Sequence, residues 1–472
     1  NLLVRGASDE SFAAYRSEVE NLRRLVESQE RELARRSSAF RESRRREEID
    51  LSRVMASLPE GSGLVAYAVC GGRQKRYVAF AVSRDRKVVG IPVGDRARVD
   101  DLVRAWRKEV ATPPERAGGT RRGRPSTPGE DLRRAVWDPV AARLGDVSRV
   151  YVVLDGSLLL VNFDALPMDG RYLVETELDL RYLATERDLA VRSIDAPRGT
   201  GLLALGGVAF GSTARSGASA SRKLRGTDAD CPDLATITFE PLPETRREVE
   251  AIVGSWPDSE PCSLLLGADA TEAAFKAQAA GKRVIHVATH GFFLGEECGA
   301  EVAGGRGIGA TVRPGAKVVP RRKHVAERNP LLLSGLALAG ANRRAGVRAG
   351  EEDGILTCDE VAALDLSHAE WAVLSACDTG LGRIQAGEGV LGLRRAFRVA
   401  GARCLVMSLW AVEDRATMEW MKAFYDAVGS TGTPAEEAVR MASRGVLGHR
   451  RAQRESTHPF YWASFVAVGD GR

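Results

Sequence analysis

The chain has 472 residues, of which 44% are hydrophobic and 28% charged, and its formal net charge is +5. This composition excludes a disordered or fibrous chain, and the length predicts two or three domains with a sizeable core. The small positive excess gives no argument for binding to nucleic acid or to a membrane surface.

The first fifty residues are densely charged, and no signal peptide is visible in them. The longest near-continuous apolar segment, Leu331–Ala341, is too short to span a bilayer. The seven cysteines are scattered without a CxxC pair, which favours a reducing compartment. We therefore predict a cytoplasmic protein with no membrane segment. Asn1 at the first position leads us to expect that the sequence is a piece of a longer chain.

The first region, residues 1–58, has apolar residues at helical spacing in an Arg- and Glu-rich background without internal proline. We predict one or two amphipathic helices that end a helical repeat array or a coiled coil. A solvated helix that packs on its own domain is the alternative. The apolar positions are Phe12, Tyr15, Val19, Leu22, Leu25 and Val26.

The second region, residues 59–198, changes to a period of two and is predicted to be an α+β unit. A Gly/Pro/Arg-rich stretch at 112–129 reads as a loop. The predicted elements are strands 64–70, 76–83 and 87–93, helices 97–110 and 130–144, strand 149–154 and a short strand ending near Phe163.

The third region, residues 199–472, alternates strands with helices, which predicts an α/β domain with a mostly parallel sheet flanked by helices. The predicted elements are strand 202–205, helix 244–255, helix 270–280 with Asp269 and Glu272 as a capping box, a strand ending at His290, helix 358–364, a strand ending at Cys377, helix 388–400, strand 403–409, helix 415–428 capped by Asp414 and ended by Gly429, a helix starting at Thr433–Glu436, and strand 460–468.

The candidate chemistry lies where two of these strands end. Ligands bind outside the carboxyl ends of parallel strands, and His290 and Cys377 each stand at such an end. An imidazole beside a thiol raises the thiolate fraction and can later protonate a leaving amine. Backbone N–H groups of Gly291 and Cys377 are the candidate oxyanion hole. This arrangement predicts a cysteine-nucleophile hydrolase.

Each of these residues also has a structural interpretation. Cys377 alone could be a buried thiol, because cysteine is among the most buried residue types. His286 and His290 have the spacing of a helical metal pair, but the β-branched run around them favours a strand, and no third ligand follows at metal spacing. We therefore predict no metal or other cofactor, with His286 supporting the site. Asp378 and Asp414 are acids near the site, and Asp414 has a helix cap as its alternative role.

Five blocks of sequence resemble the CHAT family, the caspase-like proteases associated with tetratricopeptide repeats, which are related to separase in the caspase–hemoglobinase superfamily. Further matches at 158–167 and 242–248 extend the resemblance over about residues 60–472. The five blocks are 285–292 (IHVATHGF), 374–380 (LSACDTG), 388–397 (EGVLGLRRAF), 408–414 (SLWAVED) and 458–465 (HPFYWASF).

The resemblance implies a caspase-hemoglobinase-like fold, with His290 as general base and Cys377 as nucleophile. It implies that 59–198 is a degenerate protease-like half and that Leu409 and Trp410 line a substrate groove, with a core role for Trp410 as the alternative. Separase has an acid after the Trp of its Leu-Trp motif, whereas this chain has Ala411, so the resemblance does not extend to cleavage after a basic residue.

These observations predict a latent cysteine endopeptidase that cleaves a protein substrate, in the bacterial defence or cell-death setting that the resemblance implies. An activating partner is expected at the N-terminal helical region. The alternative is a non-catalytic interaction module on the same fold. Direct nucleic-acid binding is disfavoured, because the Arg-rich stretches 115–124 and 321–328 lack interleaved aromatic residues. The Gly/Arg-rich stretch 295–328 is expected to be a loop over the site.

Overall fold

The computed structural model describes residues 48–72, 74–83, 87–114, 126–191, 198–211, 237–293, 310–312, 334–347, 352–375, 383–385, 389–410, 412, 414–431 and 433–469. The chain divides into two compact units, 1–53 and 54–472, and the second contains the elements that position the site. Within the described ranges, no helix has the length and apolar character needed to cross a membrane.

Ten helices are described. They are α1 (Leu51–Ser57), α2 (Arg96–Val110), α3 (Pro128–Val136), α4 (Asp138–Leu144), α5 (Pro243–Ser255), α6 (Glu272–Ala279), α7 (Cys358–Ala362), α8 (Leu393–Val399), α9 (Asp414–Thr431) and α10 (Ala435–Ala452).

The strands of the described part are β1 (Ser62–Cys70), β2 (Arg76–Val82), β3 (Val88–Asp95), β4 (Arg149–Val153), β5 (Pro167–Met168), β6 (Arg171–Tyr172), β7 (Asp179–Leu183), β8 (Leu202–Gly206), β9 (Ile237–Phe239), β10 (Cys262–Leu266), β11 (Val284–Val287), β12 (Gly291–Phe293), β13 (Ala310–Val312), β14 (Ser334–Ala337), β15 (Ile355–Thr357), β16 (Trp371–Leu374), β17 (Arg383–Gln385), β18 (Gly389–Leu391), β19 (Cys404–Ser408) and β20 (Phe465–Gly469).

Eleven strands form one sheet in the order β10-β8-β11-β16-β19-β20-β7-β4-β1-β2-β3. The first six strands are the C-terminal half, in which all neighbours are parallel except β19 and β20. The other five are the N-terminal half, in which β7, β4 and β1 are parallel and β2 and β3 are antiparallel additions. The predicted mostly parallel sheet flanked by helices is confirmed.

The two halves join through β20 and β7, which run parallel at Val468 and Tyr182. Because β20 is antiparallel to β19, the carboxyl ends of β4 and β7 lie at the opposite edge from those of β11 and β16. The sheet is thus continuous across the predicted boundary at 198/199. The division of 54–472 into two separately folding domains stays a prediction.

Continuous apolar composition explains the central strands of the C-terminal half. Every residue of β8, β11, β16 and β19 is buried, as a sheet covered on both faces requires. One polar side chain, His286, is buried within β11.

The predicted helix 130–144 is two helices, because the chain turns at Trp137 and Pro139 supplies no backbone N–H to continue the ladder. Thr127 and Glu130 form a capping box at the start of α3. The predicted strand ending near Phe163 is wrong. The chain there forms two 3-10 turns, Gly156–Leu160 and Phe163–Ala165.

The predicted cap of the helix near 270 is also wrong. Thr271 is the N-cap and its hydroxyl accepts from the Ala274 amide at 3.1 Å. Glu272 is instead the first helical residue, and its carboxylate accepts from the Gly354 amide at 2.5 Å, so it joins α6 to a distant turn. A backbone partner 82 residues away leaves no local signal in the sequence.

Three further boundaries differ from prediction. Helix α9 continues through the exposed Gly429, because buried neighbours such as Val428 outweigh the low helix propensity of one glycine. The segment predicted to start a helix at 388 forms β18 before α8 begins. The last strand is shorter than predicted, because 459–461 form a 3-10 turn after the N-cap His458.

Candidate active site

His290 lies just beyond β11, at the carboxyl edge of the C-terminal half. The preceding Thr289 hydroxyl donates to the Ala337 carbonyl at 2.6 Å, and the Ala337 amide donates to the His290 carbonyl at 2.9 Å. Gly291 then opens β12, which pairs with β14. The backbone on both sides of His290 is therefore held by β14, and the ring projects from a rigid support.

The His290 ring is oriented by a backbone group. Nε2 lies 2.7 Å from the carbonyl oxygen of Glu240. A carbonyl oxygen only accepts, so Nε2 carries the proton and donates it. In the neutral ring Nδ1 is then the nitrogen able to accept a proton, which is the property of a general base.

Aromatic side chains surround this imidazole. The ring centroids of Phe210 and Phe239 lie 5.2 Å and 5.7 Å from that of His290. The Asn342 side chain holds Phe239 in place, because its amide oxygen accepts from the Phe239 N–H at 2.8 Å and its NH2 donates to the Phe239 carbonyl at 2.9 Å. His290 itself is buried, with 1% of its surface exposed.

Cys377 and Asp378 lie outside the described residues. The strand that leads to Cys377 is described. Leu374 at the end of β16 pairs with Val287 at the end of β11, and the Ser375 amide donates to the Val287 carbonyl at 3.0 Å. The two strands thus end side by side.

The other predicted site residues are distributed as follows. Leu409 and Trp410 follow β19, and both are 2% exposed. Asp414 begins α9, and its side chain lies outside the described part. Their predicted contact with substrate stays a prediction.

His286 is buried in the middle of β11 and belongs to a polar network between strand and helices. Its Nε2 donates to the Glu248 carboxylate at 3.1 Å, and the Tyr425 hydroxyl lies 2.9 Å from its Nδ1. Glu248 is on α5 and Tyr425 on α9, so the network ties both helices to the strand that leads to His290.

Sequence reasoning missed the groups that position His290. The Glu240 carbonyl leaves no side-chain signal, and Phe239 follows a stretch that reads as a polar loop. The signal that could have found Phe239 is the short apolar Ile237–Phe239 segment, which forms β9. Its antiparallel partner is β13, within the stretch 295–328 that was expected to be a loop. The rest of that stretch lies outside the description.

A carboxylate cluster occurs elsewhere in the described residues, formed by Glu272, Glu352 and Glu360. Lys276 Nζ lies 3.2, 2.9 and 2.9 Å from these three side chains. Its ammonium already supplies a positive charge at their centre, so the cluster is explained as an ion-pair network.

The CHAT domain model matches residues 126–470, well over half of the chain. The chain belongs to the CHAT domain family. The predicted family is therefore confirmed. Tetratricopeptide repeat protein 28 of Mus musculus and of Homo sapiens are each 32% identical over 115 residues, which is 24% of this chain and 4% of that protein. The CHAT chain thus matches only a small part of these long relatives.

Two solved structures are similar to the CHAT chain at low sequence identity. The separase–securin complex of Saccharomyces cerevisiae gives a TM-score of 0.45 at 8% identity, covering 89% of this chain and 30% of that one. The Arg-specific cysteine proteinase gingipain R gives a TM-score of 0.39 at 10% identity, covering 79% and 74%. These values measure a loose similarity in the path of the chain.

Proposed function

We propose that this CHAT protein is a cysteine endopeptidase in which His290 is the general base and Cys377 the nucleophile. The observation that carries the proposal is the contact between His290 Nε2 and the Glu240 carbonyl at 2.7 Å. A histidine held in this tautomer at a sheet edge has its other nitrogen as proton acceptor. The side-by-side ends of β11 and β16 support Cys377 as the partner.

In the proposed reaction, Nδ1 of His290 takes the proton of the Cys377 thiol, and the thiolate attacks the carbonyl carbon of the scissile peptide bond. The imidazolium keeps its Nε2–H bond to Glu240, which strengthens as the ring becomes charged. The backbone N–H groups of Cys377 and Gly291 stabilise the oxyanion of the tetrahedral intermediate.

The intermediate collapses when the C–N bond breaks and the imidazolium gives its proton to the leaving amine. A water molecule, deprotonated by His290, then attacks the thioester. The carboxylic acid product leaves and the proton returns to the thiol, so no cofactor is consumed.

Latency is part of the proposal. A general base that is 1% exposed and packed against Phe210 and Phe239 cannot meet a peptide until this cover moves. We infer that a partner, expected at the N-terminal helical region, favours an open state. A cytoplasmic role in bacterial defence or cell death is the setting that we propose from the family resemblance.

A cleavage assay on a peptide library, with and without the physiological partner, tests the proposal. We expect Cys377→Ala and His290→Ala to reduce cleavage by at least about a thousandfold, while both retain the wild-type circular dichroism spectrum. The matched control is His286→Ala, which we expect to lower the melting temperature while cleavage by the folded fraction continues.

Two results would overturn the proposal. Cleavage that survives Cys377→Ala would exclude this thiol as the nucleophile. If His290→Ala cleaved normally and a folded His286→Ala did not cleave, His286 rather than His290 would be the general base. An active-site variant that binds its partner normally and has the same effect as wild type would support the alternative of an interaction module.

A further inference from the structure

Asn342 joins the two segments of chain whose aromatic rings pack against His290. Its backbone N–H donates to the Phe210 carbonyl at 2.9 Å, and its side-chain NH2 donates to the Gly211 carbonyl at 3.1 Å and to the Phe239 carbonyl at 2.9 Å. The side-chain oxygen accepts from the Phe239 N–H at 2.8 Å. One residue therefore connects the chain after β8 with β9.

The chemistry of these bonds requires a primary amide at position 342. Both amide hydrogens and the amide oxygen of Asn342 are used, so a carboxylate of the same shape would lose both donors. The side chain bonds the N–H and the C=O of Phe239, as a residue on a neighbouring antiparallel strand would do. It therefore fixes the peptide units on both sides of Phe239.

The turn that carries Asn342 is itself anchored. The Ala339 amide donates to the Ala270 carbonyl at 2.9 Å, and the Gly340 amide donates to the Ala209 carbonyl at 3.1 Å. Gly340 has a φ of 89°, a left-handed conformation that glycine adopts at little cost, and the 3-10 turn begins directly after it. Asn342 thus reaches β9 from a fixed support.

The connection to the catalytic base is made by Glu240. Its carbonyl, one residue beyond Phe239, accepts from His290 Nε2 at 2.7 Å. The direction of that carbonyl depends on the peptide units before it, and β9 has three residues and, in the described part, β13 as its strand partner. We propose that Asn342 is a positioning residue, which holds β9 so that the Glu240 carbonyl keeps the proton of His290 on Nε2. Its importance for the reaction rests on the proposed function.

The proton on His290 Nε2 gives a readout that needs no substrate. A buried, hydrogen-bonded imidazole N–H exchanges slowly with water, so NMR of the full chain with isotope-labelled histidine should show it as a downfield signal. The absence of this signal in His290→Gln assigns it. In Asn342→Ala we expect the signal to vanish or its exchange with water to become at least about tenfold faster.

A second variant keeps the test open if Asn342→Ala does not fold. Asn342→Asp preserves the shape of the side chain but sets a carboxylate oxygen against the Gly211 and Phe239 carbonyls, in place of the NH2 that donates to them. We expect the same change in the His290 signal.

The matched control is Asn162→Ala, in the N-terminal half of the sheet. Asn162 also bridges backbone groups, because its NH2 donates to the Ala463 carbonyl at 2.8 Å and its oxygen accepts from the Asp164 amide at 3.1 Å. We expect a loss of stability similar to that of Asn342→Ala, with an unchanged His290 signal. An equal change of the signal in both variants would reflect a general loosening of the fold and would overturn the inference.

The pH dependence of Cys377 alkylation is the second readout. The bond from Nε2 stabilises the imidazolium, which in turn stabilises the thiolate. Asn342→Ala should therefore move the alkylation midpoint of Cys377 towards the ordinary thiol value of about 8.5, whereas Asn162→Ala should leave it unchanged.

Two further results would overturn the inference: wild type without a slowly exchanging Nε2–H signal from His290, or a folded Asn342→Ala whose signal exchanges as slowly as in wild type. The second result leaves the proposed function standing. If Cys377 in wild type titrates as an ordinary thiol while the His290 signal depends on Asn342, the proposed chemistry fails and the positioning role of Asn342 is supported.

Discussion

The two halves of the sheet treat the ends of their central strands in different ways. In the C-terminal half, β11 leads to His290. One ring nitrogen of His290 donates to a backbone carbonyl, and the ring packs against two phenylalanines. In the N-terminal half, β4 leads to Asp155, whose two carboxylate oxygens accept from the Val69 and Gly156 amides at 2.8 and 2.7 Å.

A second group of hydrogen bonds lies close to Asp155 in the N-terminal half. The Ser157 hydroxyl donates to Asp100 at 2.6 Å, and the Tyr77 hydroxyl accepts from the Ser157 amide at 2.8 Å and donates to Asp100 at 3.0 Å. Burial and the nearby Asp100 carboxylate raise the pKa of Tyr77 to about 12, so it stays a donor. The polar groups of this network therefore satisfy one another's hydrogen bonds.

Composition agrees with that contrast. Residues 59–198 contain no histidine and a single cysteine, Cys70, so a His–Cys pair cannot form within them. The description of this region as a degenerate protease-like half remains a prediction. What the contrast teaches is that a strand end can hold polar groups as stabilising contacts or, as we propose for His290, for chemistry.

The largest stability effect is expected for Asp155→Ala. The substitution removes the acceptor of the Val69 and Gly156 amides, which are largely shielded from water. We expect this loss to lower the unfolding free energy by about 2–4 kcal/mol. Asp155→Asn keeps one acceptor oxygen and should cost less. Urea unfolding measures both, and we expect cleavage by the folded protein to be unchanged. A stable Asp155→Ala that cannot cleave would give the N-terminal half a chemical role.

A pH-dependent effect is expected at Asp164, where the N-terminal half faces α10. Burial raises its pKa to about 6, although Arg440 lies 3.6 Å away. A raised folded pKa favours folding below the unfolded value near 4, and that contribution is lost as the pH rises through about 6. Relative to Asp164→Asn, wild type should therefore lose about 1–3 kcal/mol between pH 4 and pH 7.

Urea unfolding of wild type and Asp164→Asn at pH 4 and pH 7 measures this difference. All other ionisable groups are the same in the two proteins, so their contributions to the pH dependence cancel in the comparison. Asp169→Asn changes an exposed carboxylate in the next turn and serves as the control. If wild type and Asp164→Asn show the same pH dependence, Asp164 titrates as an ordinary carboxyl and its surroundings contribute no desolvation.

The smallest effects are expected for two matched tyrosines, one in each half. Tyr77→Phe removes contacts to Ser157 and Asp100, and Tyr425→Phe removes the contact to His286. Each should cost about 0.5–1.5 kcal/mol of unfolding free energy. Neither should change the rate of cleavage. If Tyr425→Phe alone lost activity, the contact between Tyr425 and His286 would be needed for cleavage.

Much of this architecture follows from local sequence. Continuous apolar runs located β8, β11, β16 and β19, and the period of two located β1, β2 and β3, because burial on one or both faces decides those patterns. The sequence also predicted the family, from its motifs. It predicted the position of His290 at the carboxyl edge of the sheet, because His290 follows an apolar strand.

What escaped prediction depends on distant contacts. Strands β7 and β10 pair with neighbours far along the chain, and that pairing leaves no local signal. The Glu240 carbonyl that orients His290 belongs to a residue 50 positions away.

The central claim is that His290 activates Cys377, and the pH dependence of Cys377 alkylation tests it most directly. Iodoacetamide labelling, followed by peptide mass spectrometry for each cysteine, should show Cys377 reacting with a midpoint well below the ordinary thiol value of about 8.5. His290→Gln should return that midpoint to about 8.5, whereas His286→Gln should not. An identical Cys377 profile in wild type and His290→Gln would contradict the account.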